Sequence, residues 1–220
     1  MATRIVPLFP LNTVLFPGMW LSLHIFEDRY KEMVGWCQEH KEPFGVALIR
    51  EGQEVGGTAD PHAVGTLARI EMIQTLEGGR FYLQTQGLQR FRVQRLIHER
   101  AYLQGEIELI EEKRVSRRAA RTKQVMADAT RMYLHYLELI RRMGGQVGQV
   151  IESALDPEFL SWLIASTMIA APNIRQELLE IIPADARLER EMMILREIIE
   201  NLEARIARGS STRSLPFSLN

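Results

Sequence analysis

The hydrophobic period of this 220-residue chain changes once, from two to 3.6, between residues 111 and 116. A period of two sends alternate side chains to opposite faces of a strand, whereas 3.6 draws a stripe along a helix. The change therefore predicts strands first and helices after. Residues 44–50 (FGVALIR) read as a short apolar strand suited to burial on both faces. Residues 64–76 and 80–86 flank Glu77-Gly78-Gly79, a hairpin signal that needs glycine's tolerance of positive φ. Residues 88–96 and 102–110 alternate again, and the polar 51–63, with Gly56-Gly57 and Asp60-Pro61, reads as an exposed loop. Six or seven short strands interrupted by one early helix predict a small, partly closed β-barrel.

After the change, residues 117–143 carry Val125, Ala129, Met132, Tyr136 and Ile140 on one face, and the pattern stops at Gly144-Gly145. Asp156-Pro157 supplies an N-cap followed by proline at the first helical position. Asn173 is expected to cap a short helix ending before Pro183, and Asp185 the last helix. In that last helix Leu188, Met192, Leu195, Ile199, Leu202 and Ile206 recur at 4-3-4-3-4. The seam is under three heptads long, which favours an intramolecular bundle face over a coiled-coil dimer. The fold class is thus α+β, with a β domain over 1–112, a helical bundle over 113–208 and a tail over 209–220.

Residues 6–34 (VPLFPLNTVLFPGMWLSLHIFEDRYKEMV) combine two proline-punctuated apolar runs, a turn and a strand-to-helix switch. Proline lacks the N–H of a ladder, so Leu8-Phe9-Pro10-Leu11 is not expected as a central strand. Phe16-Pro17-Gly18 reads as a tight turn, Leu21, Leu23 and Ile25 as one strand face, and Phe26, Tyr30, Met33 and Cys37 as a helical stripe. This segment resembles the opening of the amino-terminal, substrate-recognition domain of the Lon ATP-dependent proteases. The later pieces VGTLARI, GLQRFRV and YLQGEIE resemble that domain's following strands, and residues 178–180 with Arg187-Leu188 its helices, so the likeness covers about residues 5–207. It implies a PUA-like barrel with an attached bundle, and a non-catalytic module that recognises polypeptide. The partner it implies is an unfolded or extended chain, or a dedicated protein.

The rest of the sequence bounds the chemistry. A formal net charge of −1 gives no global field selecting nucleic acid, anionic membrane or acidic ligands. The single cysteine, Cys37, excludes an intramolecular disulfide and is expected as a reduced, partly buried thiol of a cytoplasmic protein. No apolar run spans a membrane, and the start lacks a signal-peptide pattern. There is no phosphate loop, since no glycine is followed by lysine, and none of the four lysines sits in a Ser-Lys dyad context. The resemblance therefore implies a stand-alone domain without motor or peptidase, so neither enzymatic activity nor a cofactor is expected. Cys37, His40 and His24 lack an orienting acid, and the five scattered histidines lack metal-ligand spacing.

Two surfaces remain as candidates. Phe16, Met19 and Trp20 at the turn, with Phe26, Arg29 and Tyr30 at the strand–helix corner, are the expected polypeptide contacts. The alternative is an RNA or anion site using the 113–123 helix start, six basic residues without an acid, with Arg114, Arg117, Arg118 and Arg121 as contacts, together with Arg90, Arg92 and Arg95. That run lacks interleaved aromatics, which argues against nucleic acid. Leu215-Pro216-Phe217 in the tail could fill a groove as an extended ligand does. A monomer or weak homo-oligomer is expected.

Overall fold

The computed structural model describes residues 3–56, 59–113, 115–116, 119–147 and 156–208. These described residues form a mixed α/β fold, with a seven-stranded, mostly antiparallel sheet and five α-helices. It divides into two compact units, one of 1–111 with 170–180 and one of 112–169 with 181–220.

In the first unit β1 (Arg4–Leu11), β2 (Trp20–Ile25), α1 (Asp28–His40), β3 (Phe44–Gly52), β4 (Ala59–Pro61), β5 (Val64–Leu76), β6 (Arg80–Ile97) and β7 (Gln104–Leu109) follow in order. The strands pair as β1-β7-β6-β5-β3, and β3 pairs back to β1 in parallel, so the hydrogen-bonded path returns to its start. Contrary to the expectation for a proline-bearing segment, β1 has a partner on each side. Residues 4–7 pair with β7 and residues 8–11 with β3. Leu8 donates its N–H to Leu103 O on the β7 side, so by alternation Pro10 faces β7 beyond that ladder's end. Pro7 faces β3 before that ladder begins. Neither proline is asked for the N–H it lacks.

Two other strand expectations shift. The presumed loop at 51–63 is partly strand, because β3 runs to Gly52 and β4 pairs with it. The two segments predicted around Gly87 join into one long β6, since Gly87 can lie against the Phe16 carbonyl where a Cβ would sit 2.2 Å from its oxygen. The β5–β6 turn is as expected, with Gly78 and Gly79 at φ 73° and 67°.

The core of this unit gathers Phe9, Tyr30, Met33, Val34, Cys37, Phe44 and Leu83, with the Phe9 and Tyr30 rings 4.1 Å apart. A second cluster joins Val6, Leu8, Leu67, Phe91 and Ile107. The fourth helix, α4 (Pro172–Glu180), belongs here too. It starts one residue before the cap expected at Asn173. Buried Arg90 donates to Leu179 O, Gln176 Nε2 to Val64 O at 3.0 Å, and Arg175 stacks 4.9 Å over Phe16.

The second unit holds α2 (Ala120–Arg142), α3 (Pro157–Thr167) and α5 (Ala184–Ala207). Asp156 caps α3 as predicted, accepting from Phe159 N at 2.7 Å, with Pro157 at the first turn. Asp185 does not cap α5; the cap position is Pro183, and the Asp185 carboxylate accepts from Ala186 N. The α5 seam is intramolecular, with Leu188, Leu195, Ile199 and Leu202 buried against α2 and α3. A polar cluster lies inside. The Arg187 guanidinium sits 3.3 Å over Trp162, and its Nε donates to Ser161 Oγ at 2.6 Å. Ser161 Oγ in turn donates to Glu191 at 2.7 Å.

Candidate functional site

Strand β2 is built by alternation. Leu21, Leu23 and Ile25 face the core, and Trp20, Ser22 and His24 face out. Among the described strands β2 pairs with β6 alone, opposite residues 81–86, while β6 pairs on its other side with β5. Gly87 donates to Met19 O and Thr85 Oγ1 to Leu21 O, so the odd-numbered backbone groups of β2 point toward β6. Those of Trp20, Ser22 and His24 point away, and no described strand takes them up. β2 is thus an open edge.

The outer face beside that edge is read directly from the register. Trp20 aligns with Gln86 and Arg69, Ser22 with Gln84 and Met72, and His24 with Tyr82 and Gln74. Tyr82 OH donates to Ser22 Oγ at 3.1 Å, and Arg69 Nη2 to Gln86 Oε1 at 3.4 Å, so these rows share one face. Trp20 is 54% exposed, Phe26 at the end of the edge 49%, and Met72 42%. The result is an amide-rich platform with three large apolar groups around a strand edge unpaired among the described residues. Scattered single apolar residues on a surface carry no message, but these lie within one three-stranded face and its edge.

The expected contact residues separate here. Trp20 and Phe26 are exposed, and Met19 is half-buried beside Arg175, with Nη2 at 3.7 Å from its sulfur. Phe16 and Tyr30 are core residues. Arg29 ties the corner together. It pairs with Glu27 at 3.0 Å, reaches Glu54 O at 3.4 Å and stacks 4.6 Å over Tyr30. Met72, Tyr82, Gln84 and Gln86 join the face without having been singled out. The alternation of 80–86 carried the signal for the last three, but which strand lies beside β2 did not show in it.

Of the alternative basic site, Arg114, Arg117 and Arg118 lie outside the described residues. Arg121 is exposed and bound to Glu189 at 2.7 Å. Arg90 is fully buried against α4, and Arg95 pairs with Glu106 at 3.3 Å, so neither offers a free cation. The Cys37 thiol is buried, and that burial pushes it up to about 12, the opposite of an activated nucleophile. Among the described residues no group of three or more His, Cys, Asp or Glu side chains is placed to hold a metal, and no helix is long and apolar enough to cross a membrane.

The family model for the ATP-dependent protease La (LON) substrate-binding domain matches residues 5–197. This chain belongs to the LON substrate-binding domain family. Among curated relatives, a Lon protease of Anaeromyxobacter dehalogenans is 27% identical over 201 residues, spanning 89% of this chain and 24% of that protein. Lon protease 2 of Myxococcus xanthus is 27% identical over 202 residues, 90% of this chain and 24% of its own length. The chain thus spans about a quarter of the curated relatives it matches. A crystal structure of a Lon N-terminal domain protein from Xanthomonas campestris superposes with a TM-score of 0.64 at 28% identity, covering 85% of this chain and 96% of that one. The N-terminal domain of a Mycobacterium avium complex Lon protease gives 0.68 at 17% identity, covering 90% and 99%, and speaks to fold alone. The matched family is described as the substrate-binding domain of that protease.

Proposed function

We propose that this chain binds extended polypeptide segments by adding them as a further strand to the β2 edge, with apolar side chains of the ligand against Trp20 and Phe26. The supporting observation is the unpaired backbone of Trp20, Ser22 and His24 flanked by two half-exposed aromatics. Strand addition draws affinity from main-chain hydrogen bonds and selectivity from alternate side chains, which suits a recogniser of many unfolded sequences. Met72 and the glutamines of β6 offer adaptable contacts to the same ligand. Membership in the LON family favours polypeptide over the anion reading, and Arg121 is already engaged by Glu189. We read the closed strand path of the first unit as the scaffold, a small PUA-like barrel with no catalytic role, working in the cytoplasm without a cofactor.

The test is fluorescence anisotropy of labelled extended peptides, half of them rich in Leu and Phe. Trp20→Ala with Phe26→Ala is expected to weaken binding roughly tenfold or more, the equivalent of about 1.4 kcal/mol. Ser22→Pro removes an outward N–H together with the exposed Tyr82–Ser22 hydrogen bond, so it should cut binding at only a small cost in melting temperature. Unaltered binding in both variants would sink the β2 edge as the site.

A further inference from the structure

A second strand edge of the first unit is unpaired among the described residues, on the far side of the β2-β6-β5 ribbon from β2. Strand β3 pairs with β5 only at residues 66–68, because the chain enters β3 at Phe44 from the end of α1. There Lys41 takes φ 54° and Glu42 N donates to Cys37 O, which turns the segment before Phe44 away from the sheet. Beyond Ala68, β5 therefore runs to Leu76 with β6 on one side and no described strand on the other. Gly87 donates to Met19 O, so the odd-numbered residues of 81–87 face β2 and the even-numbered ones face β5. Met72, Gln74 and Leu76, aligned with Gln84, Tyr82 and Arg80, are thus bonded to β6, and the backbone groups of Ile73 and Thr75 point outward. Residues 72–76, Met-Ile-Gln-Thr-Leu, carry neither charge nor proline, the devices that blunt an exposed edge. Where β3 departs, an open groove of about 480 Å³ lies between 41–43 and β5, with Ile70, Ile73 and Leu88 as its apolar part.

We propose that this edge pairs with the same edge of a second copy, antiparallel about a two-fold axis at Ile73, and that each groove receives the other copy's β5–β6 turn. Parity restricts the register, since the outward groups of Ile73 and Thr75 can bond only to outward groups. With the axis at Ile73, Ile73 lies opposite its own copy, Glu71 opposite Thr75, and the groove end at Arg69 opposite Glu77. With the axis at Gln74, Glu71 would instead face Glu77, and like charges directly opposite disfavour that register. Charge also argues for a second copy as the occupant. Of the four charged residues lining the groove, Arg69 is bound to Glu71, and Glu42 to Arg4 at 3.8 Å. The fourth, Lys41, is exposed, and among the described residues no ion pair engages it. The same holds for Glu77 at the turn, where the neighbouring Arg80 is tied by its Nε to Glu77 O at 3.0 Å. The chain thus carries one uncompensated cation at the groove and one uncompensated anion at the turn, and the two-fold axis brings them together twice. An isologous contact of this kind closes at two copies. It joins two three-stranded ribbons into one six-stranded sheet whose outer strands are the two β2 edges. The proposal does not depend on those edges binding peptide.

The test is the mass of the full chain by sedimentation velocity from about 10 µM to about 1 mM, the range of weak association. The mass should rise with concentration toward two copies and no further. Lys41→Glu and Glu77→Lys both change exposed side chains, and each should weaken the dimer roughly tenfold, because the two-fold axis repeats the like-charge contact. Combined in one chain, the two reversals should restore it. Thr75→Pro, which removes an outward N–H, should abolish it, with an unchanged circular dichroism spectrum excluding unfolding as the cause. A single-chain mass at the highest concentration would overturn the proposal. A dimer indifferent to both charge reversals would overturn it in favour of another face. A chain that stays monomeric, and loses a labelled extended peptide on Thr75→Pro, would give the edge to a polypeptide ligand instead.

Discussion

At the scale of single residues, the deciding variable is what stands within a few ångströms of a side chain or of its absence. A Cβ on Gly87 would lie 2.2 Å from Phe16 O and 3.2 Å from Leu15 Cγ, and the nearest atom is backbone that cannot swing away. Gly87→Ala is therefore expected to cost about 1–3 kcal/mol, seen as a lower denaturant midpoint with unchanged slope. Cys37 shows the same logic in chemistry. With its thiol near 12, thiolate is scarce at pH 8, so a maleimide should label it slowly in the native protein and fast in denaturant. Fast native labelling would contradict its burial. The candidate site divides on this scale as well. Phe16, Trp20, Phe26 and Tyr30 look equally promising as aromatic letters, and only the surrounding atoms make two of them surface and two of them core.

At the scale of elements, local signals were legible where one residue serves one end of one helix. Asp156-Pro157 announced α3 and delivers the bond to Phe159 N. Asp156→Ala should lower stability by about 1 kcal/mol, and Asp156→Asn by much less, in thermal unfolding followed by circular dichroism. Asn173 and Asp185 misled because proline-led starts at Pro172 and Pro183 took over the ends they were expected to cap. The attachment of α4 was not legible at all. Gln176 supplies the partner of Val64 O from more than a hundred positions away, and such a bond leaves no local pattern. Gln176→Leu should strand that buried carbonyl at a cost of about 1–3 kcal/mol, with faster amide hydrogen exchange across 172–180.

At the scale of the whole molecule, the buried cluster around Arg187 makes stability depend on pH. Burial raises the Glu191 carboxyl well above the ordinary range, with Ser161 and Arg187 opposing the shift. A carboxyl raised in the folded state holds a proton that the unfolded chain releases near pH 4.5, so its contribution to stability falls as pH rises from there toward the folded value. Melting temperatures measured across that window should decline less steeply for Glu191→Gln than for the parent protein; identical slopes would mean that Glu191 is ionised when folded. The sequence by itself determined the division into strands and helices, the turn chemistry at Gly78-Gly79, the α5 seam and the family, because periodicity, caps and glycines act over a few residues. Tertiary structure alone decided that β1 exchanges partners between its prolines, that α4 joins the strands, and that β2, among the described residues, keeps an open edge beside Trp20 and Phe26. Those outcomes depend on which distant segment occupies each side of a strand or helix, and a hydrogen bond across a hundred residues leaves its mark on neither end of the sequence.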